Sequence, residues 1–367
     1  MQSRIVIAGI ILYSCSFLFK FGASNHSLAI AGLIAISLIL HSLCTKGLRL
    51  SNKVVLAFLV YVLFSSWQAI KPISLLGGVR LPYYAWLPIF MIFVYALMYS
   101  SIKKEAIQAI PCIVWVGFIA SCYCLLQYLG IDQPMLDSGR VDNSFVLSHN
   151  VTAWFGHPVY AGCSIAMIIP LAIKIRKWFM LPFFVLAVLA TKSDMAIGSM
   201  VCSLAALPFL VNKHMAFIGI ALLLVICSLL FINRDKIKVN DNGRFETWSN
   251  MVSDIRNPIA FNDYDKKFGL FGRGLGSFKY MFHIEHPQGG YQKLQAHNEY
   301  LQVLYELGVI GLGFGVLMLG INIFGGNDIY IKSSLICVCL SALGIYVWQL
   351  GFTQFLTVFL LGLNKKD

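Results

Sequence analysis

The sequence predicts an all-α polytopic membrane protein with about twelve transmembrane helices and a large external loop that contains an amphipathic helix. The first observation is composition, since 58% of the 367 residues are hydrophobic and only 12% are charged. The mean hydropathy is +0.76. The second observation is that apolar segments recur along the chain, and the third is that basic residues gather between them. A soluble globular domain does not need so much apolar surface.

The apolar segments divide the chain into three parts. They lie near 4–21, 27–44, 53–70, 83–99, 107–129, 158–173, 178–191, 195–211, 214–232, 298–323, 333–349 and 351–363. Predicted membrane helices therefore fill residues 1–232 and 298–367, and the large loop occupies 233–297 between them. A spanning helix needs ~20 apolar residues, and several segments are shorter, so their boundaries are approximate.

The net charge of +12 does not indicate a nucleic-acid partner, because the basic residues are spread over short connectors. Those that follow the even-numbered apolar segments are Lys46, Arg49, Lys53, Lys103, Lys104, Lys174, Arg176, Lys177, Lys213, Lys332, Lys365 and Lys366. With twelve spans all of these fall on one side of the bilayer. The positive-inside rule then places both termini in the cytoplasm.

The sequence predicts no disulfide, metal site or cofactor. All ten cysteines lie in or at the edges of apolar segments, where they behave as small buried hydrophobes. Asp263 and Asp265 have the spacing of a metal-binding pair, but Lys266 and Lys267 follow and would neutralise them. We interpret the two aspartates as loop residues.

Three long connectors lie on the external side, and loops of this length are usually functional. Residues 68–82 contain Lys71 and Arg80, residues 130–157 contain Arg140 and His157, and the largest loop runs from about Asn233 to Ala296.

Within the largest loop, Phe245, Trp248, Val252 and Ile255 recur at helical spacing. This spacing predicts an amphipathic helix on the membrane surface, with Arg244 in its first turn. A cation is unfavourable beside a helix N-terminus, so Arg244 is either the contact of an anion or a solvated arginine. The following 272–276 stretch, Gly-Arg-Gly-Leu-Gly, has no βαβ unit around it, and we interpret it as a turn.

His297 and Asn298 stand where the polar loop ends and a long apolar helix begins. An ionisable group at this boundary between membrane and water needs an interaction partner or has a functional role. A histidine there can accept a proton, and a helix N-terminus suits a phosphate. The alternative is that the two residues only cap the helix. Glu306 lies half a turn out of phase with His297, so we interpret it as a packing or helix-pairing residue.

Together these residues resemble the O-antigen ligase/polymerase superfamily of bacterial membrane proteins, over roughly residues 120–315. The C-terminal part of the resemblance consists of Arg244, Trp248, Asn257-Pro258, Phe271 to Phe278, Ala296 to Leu301, Glu306 to Gly308 and Gly311. The upstream part consists of Gln127 to Gly130, Arg140 and Phe155 to Pro158.

The resemblance implies glycan transfer at the periplasmic face of a bacterial inner membrane, without a metal or a nucleotide sugar. The donor would be a glycan on undecaprenyl diphosphate, and the acceptor a glycolipid of the lipid A-core kind or another glycan. His297 matches the general base and Arg244 the diphosphate-binding arginine. The further candidates for substrate binding are Arg140, Arg80, Lys71, His157 and Asn298.

Several activities stay open on the sequence alone. Within the superfamily they are an O-antigen ligase, a polymerase that joins repeat units, and a protein O-oligosaccharyltransferase. A flippase or transporter is the alternative of another class, but it would place polar groups near mid-membrane and have short external loops. The chain departs from the superfamily at 191–194, where Asp194 stands in place of an expected arginine. Lys192, Lys71 or Arg80 would then supply the missing charge.

The topology can be tested with Asn240→Cys and a membrane-impermeant maleimide. Because the basic connectors are predicted to be cytoplasmic, we expect the cysteine at position 240 to be labelled only from the external side. The unsubstituted protein gives the background from the native cysteines. Labelling from the cytoplasmic side alone would contradict the topology and the external site.

Overall fold

A computed structural model of the protein describes residues 57–65, 104–131, 151–155, 157–211, 244–256, 268–278, 282, 296–344 and 351–364. These residues form helices and turns and contain no strand. In chain order the α-helices are α1 (57–65), α2 (Ile110–Tyr128), α3 (Pro158–Lys174), α4 (Leu181–Ala190), α5 (Asp194–Val211), α6 (Arg244–Arg256), α7 (Phe268–Phe271), α8 (Glu299–Gly325), α9 (Ile329–Ser341) and α10 (Gly351–Asn364). Short 3₁₀ helices at Lys104–Ala109 and Trp178–Met180 precede α2 and α4.

Three helices in the described part are long and apolar enough to cross a membrane. They are Ile107–Tyr128, Asp194–Val211 and Glu299–Gly325. Pro158–Lys174, Trp178–Ala190 and Ile329–Ser341 are shorter apolar helices. The chain is therefore an all-helical membrane protein in its described part, and each of these helices falls on an apolar segment that the sequence predicts.

The bundle is organised around α3, which packs against α2, α4, α5 and α9. In lipid the hydrophobic effect does not drive helices together, so small residues and hydrogen bonds at the contacts matter more. Gly162 of α3 lies against Ala196 and Thr191, where a Cβ would come within 2.6 Å of the Ala196 methyl group. The Ser333 hydroxyl of α9 donates to the Ser203 carbonyl oxygen of α5 at 2.7 Å.

The helix directions bring several termini to one end of the bundle, which we call the site end. Lys174 in the last turn of α3 pairs with Asp328 at the start of α9, so these two helices run antiparallel. The N-termini of α3 and α5 meet at Gly162. The site end therefore carries the start of α3, the start of α5 and the end of α9.

Helix α8 is broken at Gly308, whose φ of 65° and ψ of −172° are not helical. The 272–276 turn, which we call the glycine loop, lies against this break. Arg273 N–H donates to the Tyr305 carbonyl oxygen at 3.1 Å, and Gly274 N–H donates to the Glu306 carbonyl oxygen at 2.7 Å. The prediction of a turn is confirmed. Because the helix takes up these N–H groups, they are not a phosphate cradle.

Helix α6 is confirmed, and part of its apolar side packs against other elements of the protein. Met251 is fully buried, and Trp248 and Ile255 pack with it against Phe278 and Tyr305. The apolar side therefore packs against α7, Phe278 and α8. Phe245, at the start of the helix, is exposed and meets the Trp248 ring edge-on at 5.4 Å between centroids.

The contact between the glycine loop and the break in α8 should tolerate no added methyl group. A Cβ on Gly272 would lie 2.3 Å from the Glu306 carbonyl oxygen, and one on Gly308 would lie 2.3 Å from the Leu270 carbonyl oxygen. We expect Gly272→Ala and Gly308→Ala to lower the free energy of unfolding by at least about 2 kcal/mol each. The added methyl group overlaps with the neighbouring backbone, and alanine is also strained at the positive φ of these positions.

The measurement is the melting temperature of the purified protein in detergent. Gly320→Ala is the matched control, because nothing lies within 4 Å of a Cβ added to that glycine of α8. Alanine is the better helix former, so this variant should melt at or slightly above the native temperature. Equal melting of Gly308→Ala and Gly320→Ala would contradict the close contact.

Candidate functional site

Four of the seven candidate residues lie in the described part of the chain. They are His157, Arg244, His297 and Asn298, whereas Arg140, Arg80 and Lys71 lie outside the described residues. Asp263 and Asp265 also lie outside them. No group of three His, Cys, Asp or Glu side chains with metal-binding geometry occurs among the described residues.

The structure separates the roles of His297 and Asn298. Helix α8 begins at Glu299, and the Asn298 side chain caps it by accepting from the Leu301 N–H at 3.1 Å. His297 stands one residue earlier with a φ of 53°, in the left-handed region that few residues other than glycine adopt. Asn298 therefore does the capping, and the cap does not require the imidazole of the half-buried His297.

Ala296, the residue before His297, is held by hydrogen bonds at both its carbonyl oxygen and its N–H. The Trp248 indole N–H of α6 donates to the Ala296 carbonyl oxygen at 2.7 Å. The Ala296 N–H donates to Gln302 Oε1 at 3.1 Å. Trp248 stands one turn after Arg244 on α6, so this bond places the first turn of α6 beside His297.

The start of α8 is bound to the end of α9. The Glu299 N–H donates to the Ala342 carbonyl oxygen at 2.8 Å, and the Tyr300 hydroxyl donates to the Cys339 carbonyl oxygen at 2.9 Å. Because the end of α9 belongs to the site end, His297 lies at the same end of the bundle as the start of α3.

His157 occupies the start of α3 as its N-cap. Its Nδ1 accepts from the Val159 N–H at 3.3 Å, and its ring lies 4.6 Å from the Tyr160 ring between centroids. Burial, and then the nearby positive charge of Arg244, lower the pKa of His157 to about 4. The ring is therefore neutral at pH 7, and with Nδ1 accepting, its proton is on Nε2.

The positive charge of Arg244 lies near enough to His157 to lower the pKa of that ring, so the first turn of α6 lies near the start of α3. The bond from Trp248 to Ala296 places the same part of α6 beside His297. The structure thus gathers His157, Arg244, His297 and Asn298 at the site end. Two histidines and an arginine at one place can bind an anion and move a proton.

Gln127 positions the segment before His157 and is a residue whose role sequence reasoning missed. It is 5% exposed, and its Oε1 accepts from the Thr152 N–H at 3.0 Å and the Ala153 N–H at 2.9 Å. The sequence signal was available, because a glutamine inside an apolar segment needs a polar partner. Beside His297 the corresponding positioning residues are Trp248, Gln302 and Glu306. The spacing of these residues in the sequence does not predict their hydrogen-bond partners.

The 191–194 turn also lies at the site end, where Met195 packs against Gly344 just after α9. The Thr191 hydroxyl donates to the Val188 carbonyl oxygen at 2.7 Å, and Ser193 Oγ accepts from the Ala196 N–H at 3.3 Å. Lys192 and Asp194 are both exposed. Where the resemblance expects an arginine, the site end therefore presents a lysine and an aspartate to solvent.

Arg273 of the glycine loop is buried against Tyr305 of α8. It is 5% exposed, its Nη1 donates to the Tyr305 hydroxyl at 3.2 Å, and its guanidinium carbon lies 5.5 Å from the centre of the Tyr305 ring. A cation over an aromatic face is attracted by the ring quadrupole. We therefore assign Arg273 to holding the loop against α8.

No protein-family model matches this chain, and no curated protein is significantly similar to it.

The lowered pKa of His157 predicts a loss of stability in mild acid. The unfolded histidine has a pKa of about 6.5 and takes up its proton before the folded one does. The stability that neutral His157 contributes is therefore complete above about pH 6.5 and is lost as the pH falls towards 4. We expect the melting temperature to decrease over this range.

His157→Asn is the matched variant, because asparagine also caps helices but does not titrate. Its melting temperature should fall less than that of the native protein between pH 6.5 and pH 4.5, while the other histidines titrate equally in both. Parallel curves for the two proteins would contradict a buried, neutral His157.

Proposed function

We propose that this protein is a metal-independent, inverting glycosyltransferase that moves a glycan from undecaprenyl diphosphate to an acceptor hydroxyl. The observation that carries the proposal is the convergence of His297, Arg244 and His157 at one end of an apolar helix bundle. The site end faces the periplasm of a bacterial inner membrane, which fits the segregation of basic residues to the other connectors.

In the proposed reaction His297 is the general base. Its neutral imidazole accepts the proton of the acceptor hydroxyl while that oxygen attacks the anomeric carbon of the donor sugar. A new C–O bond forms on the face opposite the diphosphate. The old bond from the anomeric carbon to the phosphate oxygen breaks, and its electron pair leaves with undecaprenyl diphosphate. Because the reaction is a single displacement, the configuration at the anomeric carbon is inverted.

Arg244 and His157 stabilise the leaving diphosphate. A guanidinium forms bidentate, charge-assisted hydrogen bonds with phosphate oxygens. Arg244 stands in the first turn of α6, where a cation is unfavourable beside the helix N-terminus, and a bound diphosphate offsets that cost. The neutral His157 can donate from Nε2 to the same anion. Arg140, Arg80 and Lys71 of the external connectors stay predicted contacts of the donor.

The acceptor in this proposal is a glycolipid of the lipid A-core kind, as in an O-antigen ligase, and surface polysaccharide assembly is the process served. A polymerase of repeat units and a protein O-oligosaccharyltransferase use the same donor and the same proton transfer, and differ in the acceptor alone. The test of the mechanism is therefore the same for all three.

The test uses His297→Gln, with transfer followed as undecaprenyl diphosphate released from lipid-linked glycan extracted from the membranes of the source cells. General-base catalysis is typically worth about 10²–10⁴-fold, so we expect a loss in that range. The cap on Asn298 is untouched, so the variant should fold and melt like the native protein. The native rate should also decrease in acid, because a protonated ring cannot accept the proton.

Two variants of Arg244 are compared in the same assay. Arg244→Lys keeps the charge but not the bidentate geometry and should retain partial activity, whereas Arg244→Ala should lose nearly all of it. Asn298→Ala is the control for capping and should cost stability of about 1 kcal/mol with little loss of rate. If His297→Gln keeps a tenth or more of the native rate, the base lies elsewhere.

A further inference from the structure

Gln302 and Glu306 form a buried hydrogen-bonded pair one turn apart on α8, which we call the Gln302–Glu306 pair. Gln302 Nε2 donates to Glu306 Oε1 at 3.1 Å, and each residue is 4% exposed. Glu306 Oε2 accepts from the Gly276 N–H at 2.8 Å, and Gln302 Oε1 accepts from the Ala296 N–H at 3.1 Å. The pair thus joins the glycine loop to the residue that precedes His297.

The backbone of His297 needs such support. A left-handed conformation costs a residue other than glycine about 1–2 kcal/mol, and it persists only where the surroundings impose it. The φ of His297 is the rotation about its own N–Cα bond. Ala296, the residue before that bond, is held at both of its peptide groups: Trp248 donates to the carbonyl oxygen that leads to His297, and Gln302 accepts from the N–H of the peptide one residue earlier. These bonds fix the direction in which the imidazole leaves the chain.

We propose that the Gln302–Glu306 pair positions His297, keeping its left-handed backbone in place so that the imidazole is presented to the acceptor hydroxyl. The proposal rests on the role of His297 as general base given above. Gln302 and Glu306 are positioning residues, because both are buried within α8 and act on His297 through Ala296.

The chemistry of the pair allows an exchange that separates positioning from packing. In the double variant Gln302→Glu/Glu306→Gln, the carboxylate at position 302 can accept from Ala296 N–H and from the amide at 306. The amide oxygen at 306 can accept from Gly276 N–H. Gln302→Glu alone places two carboxylates together in a buried position, and Glu306→Gln alone offers one oxygen to two donors.

The first measurement is kcat and KM with the extracted lipid-linked glycan. A displacement of about 1 Å at a catalytic group can cost ~10²-fold, so each single variant should lose about tenfold or more in kcat. The KM for the donor should stay within about twofold, because Arg244 and His157 are unchanged. The exchanged variant should recover to within about threefold of the native kcat. Unchanged kcat in both single variants would overturn the proposal.

The second measurement repeats Glu306→Gln in a His297→Gln background. If the pair acts through His297, it has nothing left to position there, and the residual rate should not decrease further. A loss by the same factor in both backgrounds would make the pair a structural element without a positioning role, and would overturn the proposal.

The third measurement does not depend on activity. Diethyl pyrocarbonate reacts with neutral imidazole, and mass spectrometry gives the rate at His297 and at His157 in the same sample. We expect the rate at His297 to change in the single variants and to return in the exchanged variant, with His157 unaltered. An unaltered rate at His297 in both single variants would also overturn the proposal.

Asn322→Leu is the matched control for all three measurements. Asn322 is a buried amide of the same helix beyond the Gly308 break, and its Nδ2 donates within α8 to the Met318 carbonyl oxygen at 2.8 Å. Its kcat and its His297 reactivity should equal those of the native protein.

The two proposals fail in different ways. If His297→Gln keeps the native rate, the proposed base is wrong, and the diethyl pyrocarbonate rates still decide whether the pair holds the ring. If His297→Gln is inactive while both single variants keep the native kcat, the base stands and the positioning role is wrong.

Discussion

The close approach of Gly272 and Gly308 is the contact on which the rest of the site depends. A Cβ on Gly308 would lie 2.6 Å from the Gly272 nitrogen, so the two backbones meet without side chains between them. At this point α8 is broken, and the carbonyl oxygens of Tyr305 and Glu306 accept from the glycine loop. Glycines are required because both positions combine a positive φ with direct backbone contact.

From that contact a continuous set of hydrogen bonds leads to His297. The glycine loop fixes Glu306 through Gly276, Glu306 fixes Gln302, and Gln302 fixes Ala296. Buried polar groups that are all satisfied make a stiff network, whereas the loss of one partner leaves a desolvated group behind. The histidine itself stays half-buried at the end of this network. A rigid support beneath a reactive side chain suits a reaction that needs one geometry.

Arg244 at the start of α6 and His157 at the start of α3 form the other side of the site. Burial, and then the charge of Arg244, lower the pKa of His157 to about 4, so Arg244 is the cation of the two at neutral pH. Gln127 supports His157 as Gln302 supports His297, in each case by accepting backbone N–H groups of the preceding segment. In the proposed reaction, the diphosphate binds where α6 and α3 meet and the acceptor approaches His297.

The sequence by itself determined the helices at 158–174, 194–211 and 299–325, because apolar length is a local property. It also located the cap at Asn298 and the turn at 272–276, since capping and turn chemistry act over a few residues. The tertiary structure decided which face of α6 is buried, because Phe278 and Tyr305 are distant in sequence. The tertiary structure alone showed that Glu306 is connected to His297. Glu306 is half a turn out of phase with His297 on an ideal helix, but the chain before α8 folds back so that the Ala296 N–H donates to Gln302.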